Sequence, residues 1–313
     1  MKAWQLTGVN EPLQLIHRDD PIPGPGQVVI DVRAAGICHS DVGFLDGTLT
    51  GMLPRLPMIL GHEVAGVVAT IGPGVTNVVP GDRVVIGGPE EFAPGWAVDG
   101  GFADRCLAQA SGVLKVPDNV DLAQAATATD AGQTAYGAVM GAGQLQKGQR
   151  VGIVGLGGLG MTGARIAVIE GAEVYAADPK QETWQPAKER GVVEVVDDVT
   201  KLGGRELDLI IDFAGFGATT TGAINAVRAG GLVVQVGLGV LEATISTAAL
   251  VVNSVTLRGS RGGRAGDIEA VIAHIATGDL EIQTTTIGFD DIPTAIERLT
   301  RGDVVGRFVA VHH

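Results

Sequence analysis

From the N-terminus to about residue 121 the chain is built of short runs in which apolar and polar residues alternate, and each predicts a strand with one buried face. The clearest are Val28-Val29-Ile30-Asp31-Val32, the stretch from Val64 to Ile71, and Asp82-Arg83-Val84-Val85-Ile86; Met1-Lys2-Ala3-Trp4-Gln5-Leu6 alternates in the same way. Clusters such as Pro21-Ile22-Pro23-Gly24-Pro25-Gly26 separate them and turn the chain. Near residue 122 the period changes. Ala123 to Gly141 is Ala-rich and predicts a helix, Arg150 to Gly155 a buried strand, Gly158 to Glu170 a helix closed by Gly171, and Glu173 to Asp178 a further strand. Strand, helix and strand in that order form a βαβ unit, which requires a parallel sheet and a right-handed crossover.

The alternation continues through a strand at Asp208 to Phe213, a helix at Ala218 to Arg228, strands at Leu232 to Val236 and Val255 to Arg258, and a helix at Asp267 to Thr277. Beyond about residue 288 come a helix at Ile292 to Arg301 and a last strand, Arg307 to Val311, free to return and complete the first domain. Pro186 falls inside the helical pattern from Gln181 to Arg190. An interior proline costs about 3 kcal/mol, so that helix is expected to begin at Pro186 or to bend there.

A chain of 313 residues, 45% hydrophobic and 18% charged, is expected to form two soluble domains. Its net charge of -13 opposes binding to nucleic acid or to an anionic membrane. No apolar run reaches the roughly 18 residues of a membrane span, and the first residues lack the apolar core of a secretory signal, so a cytoplasmic protein is expected. Cys38 and Cys106 are the only cysteines, which excludes a disulfide framework.

Gly155-Leu156-Gly157-Gly158-Leu159-Gly160 fits G-x-G-x-x-G between a predicted strand and a predicted helix, and Asp178 lies 21 residues beyond Gly157. In that context Gly155 permits a tight turn, Gly157 lets backbone approach a pyrophosphate, and Gly160 allows close helix packing. The helix N-terminus, opening at Gly158 and Leu159, attracts the phosphates. A carboxylate at Asp178 would hold a ribose diol and repel a 2'-phosphate, favouring NAD over NADP, although Lys180 tempers that repulsion. The plain alternative is that Asp178 merely ends a strand before Pro179.

Three side chains suit one zinc ion: Cys38 in Gly36-Ile37-Cys38-His39-Ser40-Asp41, His62 in Gly61-His62-Glu63, and Asp130 in Thr129-Asp130-Ala131-Gly132. Thiolate, imidazole and carboxylate are all zinc ligands, and three of them leave a fourth tetrahedral position for chemistry. Taken singly each has an ordinary alternative: a small buried Cys, an interior His, a helix-capping Asp. Cys106, in the apolar run Phe102 to Ala108, reads as a buried residue without a partner.

Together these motifs resemble the zinc-dependent alcohol dehydrogenases of the medium-chain dehydrogenase/reductase superfamily. Gly61-His62-Glu63 followed by Gly66, Gly72 and Val75 matches that family's zinc signature. Gly81-Asp82-Arg83-Val84, Gly100-Gly101-Phe102-Ala103 and Gly306-Arg307-Phe308-Val309 match further segments, so the likeness spans nearly the whole chain. The resemblance implies an α/β protein with a GroES-like, β-rich catalytic domain at 1–121 and 288–313. A Rossmann domain with a doubly wound parallel sheet and an NAD site is then expected at 122–287.

Carried onto this chain, the resemblance makes Cys38 and His62 zinc ligands and places Asp130 where most members have a second cysteine. Because both are anionic, the formal charge on zinc is unchanged; the competing role for Asp130 is a capping or supporting group. The family's structural zinc lobe has no counterpart, since Val84 to Asp99 contains no cysteine, so one catalytic zinc and no structural zinc are expected. Ser40 resembles the hydroxyl that passes the substrate proton onward, Asp41 would orient His62, and Glu63 would lie behind the metal. Simple turn hydroxyls and solvated charges are the alternatives. The frequent relay histidine is replaced by Gly43. His39 and Arg307 fit pyrophosphate contacts, and Thr134 and Gly237 fit positions near the nicotinamide; Arg307 as a surface strand charge is the alternative.

The implied activity is alcohol dehydrogenation or carbonyl reduction with NAD(H), by a homodimer or homotetramer. Phe44, Leu49, Phe92 and Trp96 would line the pocket for an uncharged substrate. A metal-independent reductase of quinones or activated double bonds, or a nucleotide-sensing protein without turnover, are the competing readings.

Overall fold

The computed structural model describes residues 1–312 and divides into two compact units. The first comprises 1–130, 268–276 and the chain from 284 onward, and the second comprises 131–267 and 277–283. The sequence placed the divisions at 121 and 288. The first unit extends further because the helix Leu122–Thr127 packs on its strands, and because the helix Asp267–Thr277 lays Ile268 against Gly87.

In the first unit, strand β1 (Gln27–Ile37) is the centre of a mainly antiparallel sheet. It pairs with β2 (Glu63–Ile71), with β3 (Arg105–Gln109) and with the last strand, β4 (Arg307–Val311). Arg83–Ile86 and Val113–Lys115 extend the sheet on one side, and Thr284–Gly288 adds a parallel strand beside β4 on the other. A small second sheet holds Lys2–Leu6 between Gln14–His17 and Met58–Ile59. Buried Phe44, Phe102, Phe308, Ile30 and Ile37 fill the core beneath, with one face of the helix Ile292–Thr300 supplying Ile292, Ile296 and Leu299.

The second unit is a parallel six-stranded sheet in the order Glu194–Val196, Glu173–Ala177, Arg150–Val154, Leu207–Asp212, Val227–Gln235, Thr256–Gly259. Numbered along the chain this is 3-2-1-4-5-6, the doubly wound dinucleotide-binding order. The helix Gly158–Ile169 follows the first of these strands, and the register runs Val154 beside Ala177 and Asp212. Pro186 sits third in a helix that starts at Trp184, two residues earlier than expected. In a first turn the missing N–H has no intrahelical partner to lose, so the helix accommodates the proline. The Thr-rich strand Thr284–Gly288 and the short strand Glu194–Val196 were not foreseen, since neither shows an apolar period. No helix of the described residues is long and apolar enough to cross a membrane.

A Cβ added at Gly160 would meet the Gly155 carbonyl oxygen at 1.7 Å, whereas one added at Gly157 would meet nothing within 4 Å. Gly160→Ala should therefore destabilise the protein by about 2 kcal/mol or more, and Gly157→Ala by less than about 0.5 kcal/mol. Thermal denaturation of the two variants checks this, and equal melting temperatures would contradict the packing.

Candidate active site

Strand register assembles the site. Val309 pairs with Gly36 and Phe308 with Ile37 on one side of β1, and Glu63 pairs with Gly36 on the other. Two antiparallel neighbours thus begin where β1 ends. Cys38 follows that end, His62 and Glu63 open β2, and Arg307 opens β4. Gly36 is required there, because a Cβ would meet Glu63 Oε2 at 2.0 Å. Cys38 also starts the helix His39–Asp46, whose third residue, Asp41, accepts a hydrogen bond from the Cys38 N–H at 2.9 Å. Asp130 arrives from a different element, a π-helical turn at Ala128–Gly132. Such turns offset side-chain directions from the α-helical period and recur at functional sites.

One donor atom each from Cys38, His62, Glu63 and Asp130 lies within 4.8 Å of all the others. Tetrahedral zinc with bonds of about 2.0–2.3 Å separates its ligands by roughly 3.3–3.8 Å, so Cys38, His62 and Asp130 need close by only about an ångström. His62 Nε2 is 3.7 Å from Asp130 Oδ2 and 3.4 Å from Ser40 Oγ, while Nδ1 faces Asp41 Oδ1 at 3.5 Å. The buried Asp41 carboxylate favours the proton on Nδ1 and leaves the Nε2 lone pair facing the other donors. His62 Nδ1, Asp41 Oδ1 and Glu63 Oε2 are buried without a hydrogen-bond partner, a costly arrangement unless charge offsets it. Thiolate, imidazole and carboxylate together are the chemistry of a zinc site, and these residues fit that metal.

Arg307 supplies the opposing charge. It is 4% exposed, its Nη1 donates to Asp130 Oδ2 at 3.1 Å, and the same nitrogen donates to Glu63 Oε1. Burial pulls the guanidinium's pKa down, but Glu63, Cys38 and Asp130 outweigh it, so the pKa is raised and the charge is permanent. For Asp130, burial raises the pKa; the hydrogen bond from His62 and the charge of Arg307 overcome it and hold the carboxyl well below its usual range. Burial lowers the pKa of His62, yet Asp41 and Asp130 carry it well above the ordinary value. Glu63 goes the other way: burial raises its pKa more than Arg307 lowers it.

Trp96 stands edge-on to His62 with ring centroids 5.9 Å apart, and edge-on to Phe44 at 4.7 Å. Leu49 packs against Gly43, where an added Cβ would meet its Cδ1 at 2.8 Å. Phe92 lines a separate groove with Arg18 and Arg55. Of the four apolar residues expected to form a pocket wall, Trp96 thus stands beside His62 with Phe44 behind it, Leu49 fills the space over Gly43, and Phe92 lines the separate groove. His39 is exposed in the first turn of its helix, whereas Arg307, expected at a pyrophosphate, has its guanidinium on Glu63 and Asp130.

In the second unit Gly155 has φ +84°, and Gly157 caps the helix Gly158–Ile169 without a side-chain hydrogen bond to its first N–H groups. That open cap, with the space at Gly157 and the helix opening at Gly158 and Leu159, is a cradle for phosphate oxygens and fits a dinucleotide. Asp178 is buried at the end of the neighbouring strand and accepts hydrogen bonds from the Leu156 and Lys180 N–H groups at 2.6 and 2.8 Å. A carboxylate offers about four acceptor positions, so two remain for a diol. Thr134 is buried in the helix Gln133–Tyr136, and Gly237 approaches the Phe213 carbonyl so closely that a Cβ would meet it at 2.5 Å.

Sequence reasoning missed Asp212. Fully buried at the end of its strand, it accepts from the Ala214 and Gly215 N–H groups and from the Thr219 and Thr220 hydroxyls, and its carbonyl oxygen accepts from the Gly237 N–H. It shapes the loop that carries Gly237. Its signal was an Asp closing the apolar run Leu209-Ile210-Ile211 just before Gly215 and Gly217.

Residues 24–118 match the alcohol dehydrogenase GroES-like domain and residues 158–277 the zinc-binding dehydrogenase domain. An alcohol dehydrogenase of Geobacillus stearothermophilus is 32% identical over 99% of each chain, and one of a Moraxella species 31% identical over 99% of this chain and 98% of its own. The crystal structure of the alcohol dehydrogenase from the archaeon Aeropyrum pernix superposes with a TM-score of 0.92 at 29% identity, covering all of both chains. Acetophenone reductase from Geotrichum candidum, solved in complex with NAD, gives a TM-score of 0.91 at 29% identity, over 99% of this chain and 97% of that one.

Cys106 is buried, and burial, with the charge of Asp99, pushes its thiol up to about 12. In the folded, chelator-treated protein a thiol reagent should therefore modify half-buried Cys38 and spare Cys106, and added zinc should slow the reaction at Cys38. Mass spectrometry of the digested protein reads both sites, and fast labelling of Cys106 in the native state would contradict the assignment.

Proposed function

The chain belongs to the zinc-containing alcohol dehydrogenase family, and on that premise we propose that it interconverts an alcohol and its aldehyde or ketone with NAD(H) as hydride carrier. One catalytic zinc would be held by Cys38, His62 and Asp130. The observation that carries this reading is the convergence of thiol, imidazole and carboxylate donors within 4.8 Å at the end of one strand. Glu63 is matched by Arg307, so zinc with one thiolate, one carboxylate and a neutral imidazole completes a neutral set. The absence of cysteine between Val84 and Asp99 supports one metal per chain.

Bound zinc supplies the Lewis acidity that lets an alcohol lose its proton near neutral pH and that polarises a carbonyl in reverse, and NAD supplies the hydride acceptor. The protein's own groups do the rest. Ser40, whose Oγ lies 3.4 Å from His62 Nε2, stands beside the donors and takes the substrate proton. Gly43 offers no relay imidazole and Leu49 covers it, so Ser40 is the protein group left to carry the proton away from the donors. Asp41 fixes the tautomer of His62. Trp96, backed by buried Phe44, presents apolar surface beside His62, which suits an uncharged substrate and excludes water.

The Gly155 to Gly160 turn would hold the pyrophosphate and Asp178 the adenosine ribose, which would favour NAD over NADP. His39 is assigned as a further contact to the pyrophosphate, and Thr134 and Gly237 as neighbours of the nicotinamide, while the buried Arg307 guanidinium is assigned to Glu63 and Asp130. The edge strand Thr256–Gly259 is flanked by Val251 and Val252, 77% and 80% exposed, and we assign that edge to a second copy of the chain in a homodimer.

Purified protein should contain about one zinc per chain and reduce NAD in the presence of primary or secondary alcohols, a turnover that a chelator removes and zinc restores. Asp130→Asn should lose most of its zinc and of its turnover. Metal-free protein that keeps full activity, or acts only on quinones or activated double bonds, would replace this reading with that of a metal-independent reductase. Light scattering should give a dimer, and Val252→Lys should shift it toward monomer. A wild-type monomer at micromolar concentration would remove the edge-strand assignment.

A further inference from the structure

Arg307 binds two carboxylates with one nitrogen, and only one of them, Asp130, is assigned to the metal. Its place is rigidly set. The pairing of Phe308 with Ile37 holds Arg307 beside Cys38, and Phe308 itself is fully packed in the core. Asp130, by contrast, lies on a π-helical turn, and its side chain is 23% exposed. Its Oδ2 accepts from Arg307 Nη1 at 3.1 Å and lies 3.7 Å from His62 Nε2. A carboxylate has two oxygens and several lone pairs, so it can accept from a guanidinium and bind a metal at once. A thiolate in its place has a single donor atom and no second arm to be held.

We propose that Arg307 is a positioning residue for the metal: its guanidinium fixes the Asp130 carboxylate so that an oxygen stays aimed at the point shared by Cys38 and His62. Metal affinity is then set partly from the C-terminal strand. The inference rests on the reading of Asp130 as a ligand and adds to it a residue that does not touch the metal. Groups that orient metal ligands change affinity by about 10- to 100-fold when removed.

The test uses the full-length protein, with zinc and cobalt affinities measured by competition against a chromophoric chelator and the absorption spectrum of the cobalt-loaded form. Arg307→Lys keeps a positive charge opposite Glu63 but loses the planar fork. It should weaken metal binding about 10- to 100-fold and shift the cobalt ligand-field bands. Asp130→Asn should weaken binding comparably, and Arg307→Lys combined with Asp130→Asn should be no weaker than Asp130→Asn alone. If Arg307→Lys fails to fold, Glu63→Gln with Arg307→Gln removes the ion pair together and is read in the same way.

Native affinity in Arg307→Lys beside weak binding in Asp130→Asn would overturn the positioning role and leave the ligand assignment standing. Native affinity in Asp130→Asn would overturn both. An equal loss from Arg307→Lys with and without Asp130→Asn would show that the arginine acts by a route that does not pass through Asp130, which also overturns the proposal.

Discussion

Antiparallel pairing of the strand Gln27–Ile37 with neighbours on both sides is the constraint on which the rest of the structure depends. Because Glu63–Ile71 and Arg307–Val311 run opposite to it, both begin where it ends, and residues from three distant parts of the sequence meet there. A slip of one residue in either pairing would turn Glu63 or Arg307 to the other face of the sheet. The register is held by apolar side chains on the buried face, Ile30, Ile37 and Phe308 among them. Packing of the core and placement of the chemistry are therefore the same set of contacts seen from two sides.

What collects at that end is charge, and burial makes its balance strict. Asp41, Glu63 and Arg307 are almost wholly enclosed, and an unpaired charge in such a place costs several kcal/mol. Arg307 answers Glu63, and Asp41 answers the ring nitrogen of His62 that points away from the other donors. The remaining anions, Cys38 as thiolate and Asp130, match a divalent cation in number. The site is thus specified by electrostatics as much as by the identity of individual ligands.

Much of this was legible in the sequence because it is local. The run from Arg150 to Asp178 carries its own period, turn glycines and acidic terminus, and the structure reproduces it with strands Arg150–Val154 and Glu173–Ala177. Arg307–Val311 and Asp267–Thr277 have the limits their patterns predicted. Other features were hidden because they depend on partners far along the chain. Nothing around Arg307 announces a bridge to Glu63 across 244 residues. Thr284–Gly288 becomes a strand only because Arg307–Val311 offers it an edge, and its exposed threonines show no apolar rhythm. Asp212 reads as the end of a strand, and only its hydrogen bonds to Ala214 and Gly215 of the following loop and to Thr219 and Thr220 of the next helix reveal a scaffold.

The return of the last strand to the first unit also orders events in time. A ribosome adding about 5–20 residues per second reaches Arg307 roughly 12–50 s after Glu63, a gap set by the 244 residues between them. Throughout that interval the emerging polypeptide carries Cys38, His62 and Glu63 without their counter-ion and with an unfilled sheet edge. The residues of the second unit, 131–267 and 277–283, are all synthesised before Arg307. Completion of the catalytic half thus waits for Arg307–Val311 to emerge, which makes the metal centre a late part of this fold to mature.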